Sequence, residues 1–374
     1  MEIYQVGGSL RDELIGRPPS DRDYVVIGAS ETEFRKAFPA AVRVGRRQAV
    51  YYVNGDEYTL SRASGIMEDL HNRDLTVNSL AKDSSGRLYS HPRAMEDIDR
   101  RILRPLSLRN FIDDPLRVLR AARLAAGLPA FSPHPSLLTC MAEVAARGLL
   151  GKLAAERVGN ETRKAYAAIR PDRFLNLLSE TGALAPWFSE MQNAHRIPAG
   201  PVRYHTGSLL EHSGAVMKIL AGDALAVWMG YCHDLGKTVT REEDYPHHYG
   251  HEQTGARLAS AAAERLCLPI RYREAGQVAA RYHMQAGRYP QLRPATRVDL
   301  LMTLSRKKLM KALFRLVQAD KGKDHYPQAA QDLDIIRQVH LPEKYRNRGR
   351  ESGMRLRELR CQALAGKNPV DREG

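Results

Sequence analysis

Short apolar runs carry the first hundred residues of the chain. Ile3–Val6 and Tyr24–Ile27 read as strands. Ala49–Val53 and Glu57–Leu60 read as a hairpin, because Asn54-Gly55 between them suits a type I′ turn. A helix-like segment carrying Arg11 follows Gly7-Gly8, and a second helical pattern covers Glu31–Phe38. Beyond Ile102 the strand vocabulary ceases. Periodic Leu/Ala/Arg segments predict helices from about residue 110 onward. The expected fold class is therefore α+β: a small sheet with helices, followed by an all-helical remainder. Breaks fall at Pro129–Pro135, at Pro171, at His195–Pro201 and around Tyr245–Gly250. The expected division is 1–105, 106–200, 201–330 and a basic tail over 331–374.

Composition narrows the function classes. An apolar content of 43% over 374 residues supports buried cores in two or three domains. No stretch approaches the ~20 apolar residues of a membrane helix. Met1-Glu2-Ile3-Tyr4 runs straight into a strand, so no signal peptide is expected. Cys140, Cys232, Cys267 and Cys361 lack C-x-x-C spacing, which points to free thiols and a cytoplasmic setting. A net charge of +14 favours a polyanionic partner. Seven arginines lie between 100 and 123, and the segment 343–374 holds nine Lys/Arg against five Asp/Glu. That last segment is expected to form a short basic helix with a frayed end.

The chemistry begins at Gly7-Gly8-Ser9-Leu10-Arg11-Asp12 followed by Asp21-Arg22-Asp23. Residues i and i+2 of a strand share a face, so Asp21 and Asp23 present two carboxylates side by side at its start. Such a pair repels unless a cation intervenes, and Mg²⁺ prefers oxygen ligands. The glycine turn lets backbone N–H groups approach phosphates, with Arg11 as a charged fork. Asn72-Arg73-Asp74 opens a segment expected to be a half-buried helix start. Arg73 there suits a triphosphate, and Asp74 or Asn78 a ribose hydroxyl. In Asp113-Asp114-Pro115-Leu116-Arg117-Val118-Leu119-Arg120, Pro115 suits the first helical position and Asp114 its N-cap. Asp114, Arg117 and Arg120 recur every three residues on one face. A carboxylate beside a guanidinium matches the donor–acceptor edge shared by cytosine and adenine and mismatches uracil and guanine. Arg157 and Glu161 form an i, i+4 pair that can orient those groups. His212, His233-Asp234, His251, His283 and Asp320 form a second constellation, suited to a mononuclear or dinuclear metal site.

Taken together, GGSLRD, DRDYVVIG, NRDLTVNSLA, DDPLRVLRAAR, AERVGNE and HDLGK resemble the bacterial class II tRNA nucleotidyltransferases, the CCA-adding enzymes with a C-terminal HD domain. The resemblance runs over most of the chain. It implies a polymerase-β-like head over 1–105, a helical neck and body over 106–200, and an HD phosphohydrolase domain over 201–330. It further implies Mg²⁺ on Asp21 and Asp23, and Gly8, Arg11 and Arg73 on the triphosphate and sugar. Asp114 and Arg117 then read the base, with Arg120 and Arg157 in support. Asp56 or Glu57 is a candidate third carboxylate. The implied partners are tRNA, CTP and ATP. The HD half resembles phosphohydrolases that use a transition ion such as Ni²⁺ or Mn²⁺ on His212, His233, Asp234 and Asp320, with His251 and His283 as additional ligands or phosphate contacts. The implied activity is addition of CMP and AMP to the tRNA 3′ end. The rivals are a poly(A) polymerase, which shares the head, and an HD phosphohydrolase whose head only binds RNA. Monomer and homodimer both stay open. Two departures stand out. Only Ala63–Met67 separates Arg62 from Glu68-Asp69, where the family has a longer flexible loop tied to the switch from C to A. Its loss resembles enzymes that add only CC or only A. The second departure is Asn72, where the family commonly has Arg.

Overall fold

The computed structural model describes residues 1–18, 22–44, 50–203 and 207–366. Asp21, Ala49 and the last residues of the basic tail lie outside them. The chain forms two compact units, Met1–Leu153 with Glu180–Ala183, and Ala154–Ser179 with Leu184–Gly374.

Seven strands of the first unit make one sheet: β1 (Glu2–Val6), β2 (Asp23–Ile27), β3 (Val42–Val44), β4 (Val50–Val53), β5 (Asp56–Leu60), β6 (Leu80–Lys82) and β7 (Leu88–Ser90). Their spatial order is β3-β4-β5-β2-β1-β6-β7. Every neighbouring pair is antiparallel except β2 with β5. The sheet is small and mostly antiparallel, as expected. Asn54 and Gly55 both take positive φ, the geometry of the predicted hairpin turn.

Among the described residues the first unit also holds seven α-helices: α1 (Gly8–Leu14), α2 (Glu31–Ala37), α3 (Ile66–His71), α4 (Ala94–Asp99), α5 (Leu108–Asp113), α6 (Leu116–Gly127) and α7 (Pro135–Ala146). Strand alternation sets the two faces. Tyr4, Val6, Val25 and Ile27 pack under Ile66 and Leu70 of α3. Val26, Tyr51 and Val53 point the other way, onto Phe34 of α2. A capping box of Ser30 and Glu33 starts α2. Asp23 lies two residues before Val25 and so belongs to the α3 face. This is the step that turns a hydrophobic pattern into the location of a site.

Two expectations need correction. Residues 72–81 are not a helix start: α3 ends at His71, Thr76–Asn78 is a single 3-10 turn, and Leu80 enters β6. Tertiary hydrogen bonds override the helical pattern. Thr76 Oγ1 donates to buried Asp97 (2.7 Å), Thr76 N–H donates to the Arg104 carbonyl (3.0 Å), and Ser79 Oγ donates to the Leu70 carbonyl (2.8 Å). The region beyond 110 is also not wholly helical. Ser132–Pro133 pairs in parallel with Ile102–Leu103, forming a two-residue ladder too short to leave a sequence pattern.

Among the described residues ten α-helices follow α7: α8 (Ala155–Tyr166), α9 (Pro171–Glu180), α10 (Leu209–Ile219), α11 (Ala224–Cys232), α12 (His251–Arg265), α13 (Ile270–Gly287), α14 (Pro294–Lys307), α15 (Met310–Lys321), α16 (Tyr326–Gln338) and α17 (Arg350–Leu364). Helix α11 is the centre of the second unit, with Trp228, Tyr231 and Cys232 fully enclosed. Gly236, just past its end, allows a backbone approach that no side chain permits: a Cβ there lies 1.9 Å from the His251 carbonyl. The end of α11 and the start of α12 are thereby brought together. Among the described residues no helix is long and apolar enough to cross a membrane.

Candidate functional site

The first unit carries a cleft of about 600 Å³ on the α3 face of the sheet. Asp23 on β2 and Glu57 on β5 sit in register on adjacent parallel strands, so both carboxylates share that face and line the cleft. Glu57 accepts a hydrogen bond from Tyr52 Oη at 2.9 Å. Of the two third-carboxylate candidates, Glu57 rather than Asp56 is among the lining residues. Asp21 falls outside the described residues. Oxygen donors of this kind fit Mg²⁺ chemistry.

Gly7 and Gly8, which follow the β1 residue paired with Asp23, also line the cleft. Gly7 takes φ +80, and a Cβ on it lies 3.3 Å from Arg73 Nη1, so the turn leaves room for that guanidinium. Arg73 itself is held by Asp69 (Nη2 to Oδ2, 2.9 Å), and Asp69 accepts from Ser61 Oγ at 2.8 Å. Sequence reading passed over Asp69, although the i, i+4 spacing to Arg73 was its signal. Arg11 is placed differently from a phosphate fork. It is buried, with Nη2 on Asp12 (2.8 Å) and Nη1 donating to Asn78 Oδ1 (2.6 Å).

Asn78 Nδ2 in turn donates to Asp74 Oδ1 at 3.1 Å, and Asp74 Oδ2 faces Arg120 Nε at 3.4 Å. Burial opposes the charge on Asp74. Arg120, then Asn78, outweigh it and keep the carboxyl below its ordinary range. Asp74, Asn78, Arg117 and Arg120 all line the cleft. Arg117 donates to the carbonyls of Arg73 (2.6 Å) and Asn72 (2.5 Å). Asp114 Oδ1 accepts from Leu116 N–H at 3.3 Å, but α6 begins at Leu116 with Pro115 in the N-cap position, one residue later than expected. Arg157 lies on α8, in the second unit.

Asn78 is thus a two-ended relay between buried Arg11 and buried Asp74. Asn78→Ala leaves both without that partner. The expected loss is about 1–3 kcal/mol of stability, read as a lower urea midpoint at unchanged slope. An unchanged midpoint refutes the relay.

The second unit brings together all six residues of the other constellation. Nε2 of His212 lies 3.2 Å from Nε2 of His233, 3.4 Å from Asp234 Oδ2 and 3.3 Å from Asp320 Oδ1. Nε2 of His251 and of His283 lie 3.6 and 3.4 Å from Asp234 Oδ1. Three of these imidazoles use Nδ1 on backbone carbonyls: His233 on Gly230, His251 on His248, and His283 on Ala279 and Ala280. Their Nε2 atoms are thereby turned to the centre, as outer-shell bonds orient metal-ligating histidines. Two possible ligand groups result, His212/His233/Asp234 and Asp234/His251/His283, with Asp234 common to both. Asp234 Oδ1 and His251 Nε2 are buried without a hydrogen-bond partner, the signature of a site completed by a cation. Burial works against the charge on Asp234, but His233 and Lys237 hold it well below the usual carboxylate range. Burial also opposes charging His212, yet hydrogen bonds to Asp234 and Asp320 raise it to about 9. Lys237 was not anticipated. Its Nζ bonds Asp234 (2.7 Å) and the Ala199 carbonyl (2.6 Å).

The HD domain family model matches residues 209–313, and the model described as "Probable RNA and SrmB- binding site of polymerase A" matches 130–194. The Multifunctional CCA protein of Actinobacillus pleuropneumoniae is 34% identical over 324 residues, covering 79% of this chain and 78% of that protein. Its counterpart in Xanthomonas oryzae pv. oryzae is 33% identical over 403, covering 98% and 94%. Among solved structures, the Bacillus stearothermophilus CCA-adding enzyme in complex with CTP superposes with a TM-score of 0.67 at 22% identity, over 97% of this chain and 89% of that one. The Thermotoga maritima CCA-adding enzyme complexed with tRNA gives 0.66 at 16%, over 100% and 89%. These two establish the fold, and the curated relatives establish the family. The chain belongs to the multifunctional CCA proteins, the bacterial CCA-adding enzymes that carry an HD domain.

Proposed function

We infer that the cleft of the first unit is where this tRNA nucleotidyltransferase adds CMP and AMP, from CTP and ATP, to the tRNA 3′ end without a template. The observation that carries the assignment is the in-register pair Asp23 and Glu57 lining one cleft together with the Gly7-Gly8 turn and Arg73. In the reaction the terminal 3′-hydroxyl oxygen forms a bond to the α-phosphorus and the bond to pyrophosphate breaks. Asp23 and Glu57, with Asp21, are the residues that would hold Mg²⁺, which lowers the hydroxyl pKa and neutralises charge on the leaving group. The Gly7-Gly8 backbone and Arg73 receive the triphosphate. Asp69 and Ser61 fix the Arg73 fork in advance, which lowers the cost of positioning. Arg117 and Arg120 lie where an incoming base is to be read, with Asp114 at the head of the same helix.

The domains follow this division of labour: a nucleotidyltransferase head over 1–105, a neck and body for RNA over 106–200, the HD domain over 201–330 and a basic tail over 331–374. In the HD domain, Asp234 with His212, His233, His251, His283 and Asp320 would hold a divalent transition ion such as Ni²⁺ or Mn²⁺ for phosphoester hydrolysis. A cytoplasmic setting suits free cysteines and tRNA. Neither a poly(A) polymerase nor a head that only binds RNA is favoured by any feature of the site.

The turn between β5 and α3 bears on how much of CCA is made. Ser61 bonds Asp69, Ala63 N–H donates to Ser61 Oγ (3.1 Å), and Ser64 bonds Glu68 (2.6 Å). Ser61, Arg62 and Ala63 line the cleft. A turn tied down this closely has little scope to re-form the base pocket between C and A. Purified protein is expected to extend tRNA lacking CCA by two C residues, with the final A slower or missing. The check is nucleotide-resolved extension of tRNAs ending before CCA, after C and after CC. Efficient full CCA from the first substrate removes the restriction, while no extension of any of them removes the transferase assignment to this cleft.

A further inference from the structure

Helix α3 covers only part of its face of the sheet, packing on Tyr4, Val6, Val25 and Ile27 of β1 and β2. Beyond β5 the same face runs on over β4 to the edge strand β3. Strand register gives what it carries there. Asp23 pairs with Glu57, Glu57 with Tyr52, and Tyr52 with Val42, one row across four strands. Beside it runs a second row of Val25, Thr59, Val50 and Val44. Residues opposite one another in a ladder share a face. The carboxylates of the cleft thus pass directly into an apolar strip of Val42, Val44, Val50 and Tyr52. The intervening residues point the other way: Tyr51 and Val53 pack on Phe34 of α2, and Arg43 pairs with Glu31 of α2 at 3.7 Å.

The strip is open to solvent. Val42 is 62% exposed, Val44 51% and Tyr52 41%. Exposed apolar side chains gathered in one patch mark a surface that a partner covers. Val50 lines the cleft itself, so the strip continues the site. Tyr52 is tied to that site, because its Oη donates to Glu57 at 2.9 Å. A second copy of the chain pairing along β3 would gain a ladder of only three residues, the short edge by which sheets discourage such pairing.

We propose that this strip seats the unpaired 3′ end of the tRNA, with the terminal base on the Tyr52 ring and its predecessor on Val42 and Val44. The proposal rests on the reading of the cleft as the transferase site and adds the surface that holds the acceptor strand. Neighbouring strands lie about 4.8 Å apart, so Tyr52 sits about 5 Å beyond Glu57 and Val42 about 10 Å beyond it. A terminal nucleotide on Tyr52 therefore has its 3′-hydroxyl beside Glu57 and Asp23. The chemistry of the strip suits an end that changes with every addition. The terminal base is first the one preceding CCA, then C, then C again. A surface that stacks on bases and reads none of their edges accepts each in turn, because every base has a π face.

Two variants isolate the ring. Tyr52→Phe and Tyr52→Ala both lose the bond to Glu57, and only the alanine loses the aromatic surface. The KM for tRNA lacking CCA is expected to be roughly 5- to 100-fold higher in Tyr52→Ala than in Tyr52→Phe, with the KM for CTP the same in both. Binding without catalysis gives a second readout. Tyr52→Ala is expected to bind this tRNA more weakly than Tyr52→Phe does, and to bind equally well a tRNA trimmed to its last acceptor base pair. Equal KM and equal affinity for the untrimmed tRNA in the two variants overturn the proposal. If they then differ in oligomeric state on sedimentation, the strip belongs to a second copy. Absence of transfer by the wild-type chain removes the transferase reading. In that case, or where Tyr52→Ala does not fold, photocrosslinking of a tRNA ending in 4-thiouridine decides: crosslinks to Val42, Val44 or Tyr52 sustain the strip, and crosslinks found only elsewhere overturn it.

Discussion

Asp23→Ala is expected to remove nearly all transfer of CMP and AMP to tRNA while leaving the hydrolysis proposed for the HD domain in place. Asp23 opens β2 on the α3 face, opposite Glu57 on the parallel strand β5. Its carboxylate lines the cleft, whereas the register of β2 against β1 and β5 is a backbone property that alanine preserves. The side chain is exposed, so its removal opens no cavity and stability is expected to change by less than about 0.5 kcal/mol. Loss of a group that would hold Mg²⁺ exceeds the roughly 10–100-fold penalty typical of an outer-shell partner. Transfer is therefore expected to drop more than about 100-fold, measured as single-nucleotide extension of tRNA with labelled CTP. Asp23→Glu keeps an acid but lengthens it by one methylene, and is expected to recover a small part of the rate. Transfer within tenfold of wild type in Asp23→Ala refutes the placement of the active site. Glu57→Gln is a natural companion, because its position beside Asp23 came from strand register and not from motif spacing.

Much of this was legible from residue order. Period-two runs and Asn54-Gly55 sufficed for β1, β2, β4 and β5, because a strand with one face under a helix must alternate, while the three-residue strands β3, β6 and β7 are too short to show a period. The same alternation put Asp23 on the α3 face. The helices after residue 110 follow from Leu/Ala periodicity, and His233-Asp234 announces a metal centre because neighbouring imidazole and carboxylate groups are seldom enclosed without a use. What was not legible depended on contacts distant in sequence. Arg11 reads as a phosphate fork until Asp12 and Asn78 are found around its guanidinium. Residues 74–80 carry a helical pattern that yields to hydrogen bonds donated to Asp97 and to the carbonyls of Arg104 and Leu70. Lys237 was invisible because its partners, Asp234 and the Ala199 carbonyl, are joined only by the close approach at Gly236 and the fold of the preceding loop. Local rules locate elements and individual reactive groups, while pairing among buried charges is decided by tertiary geometry.

The second large effect is expected at Asp234, where function and folding are coupled. Asp234 belongs to both possible ligand groups, so Asp234→Ala removes the one residue that cannot be replaced from either side. It also strips Lys237 of its only carboxylate contact at 2.7 Å among those described, leaving a 6% exposed ammonium on a single carbonyl. Breaking a buried pair by removing one partner costs about 3–5 kcal/mol. For a unit of this size that corresponds to a melting temperature lower by roughly 6–20 °C. Asp234→Asn separates the two consequences. Its amide oxygen can still accept from Lys237, so most of the stability returns, but the negative charge that offsets a cation and four imidazoles is gone. Both variants are expected to lose bound transition metal, measured by elemental analysis after gel filtration, and with it phosphoester hydrolysis. Both are expected to retain CMP transfer, since Asp23, Glu57, Arg73 and Arg120 belong to the other compact unit. Stoichiometric metal in Asp234→Asn contradicts the ligand assignment. A normal melting temperature in Asp234→Ala contradicts the role given to Lys237.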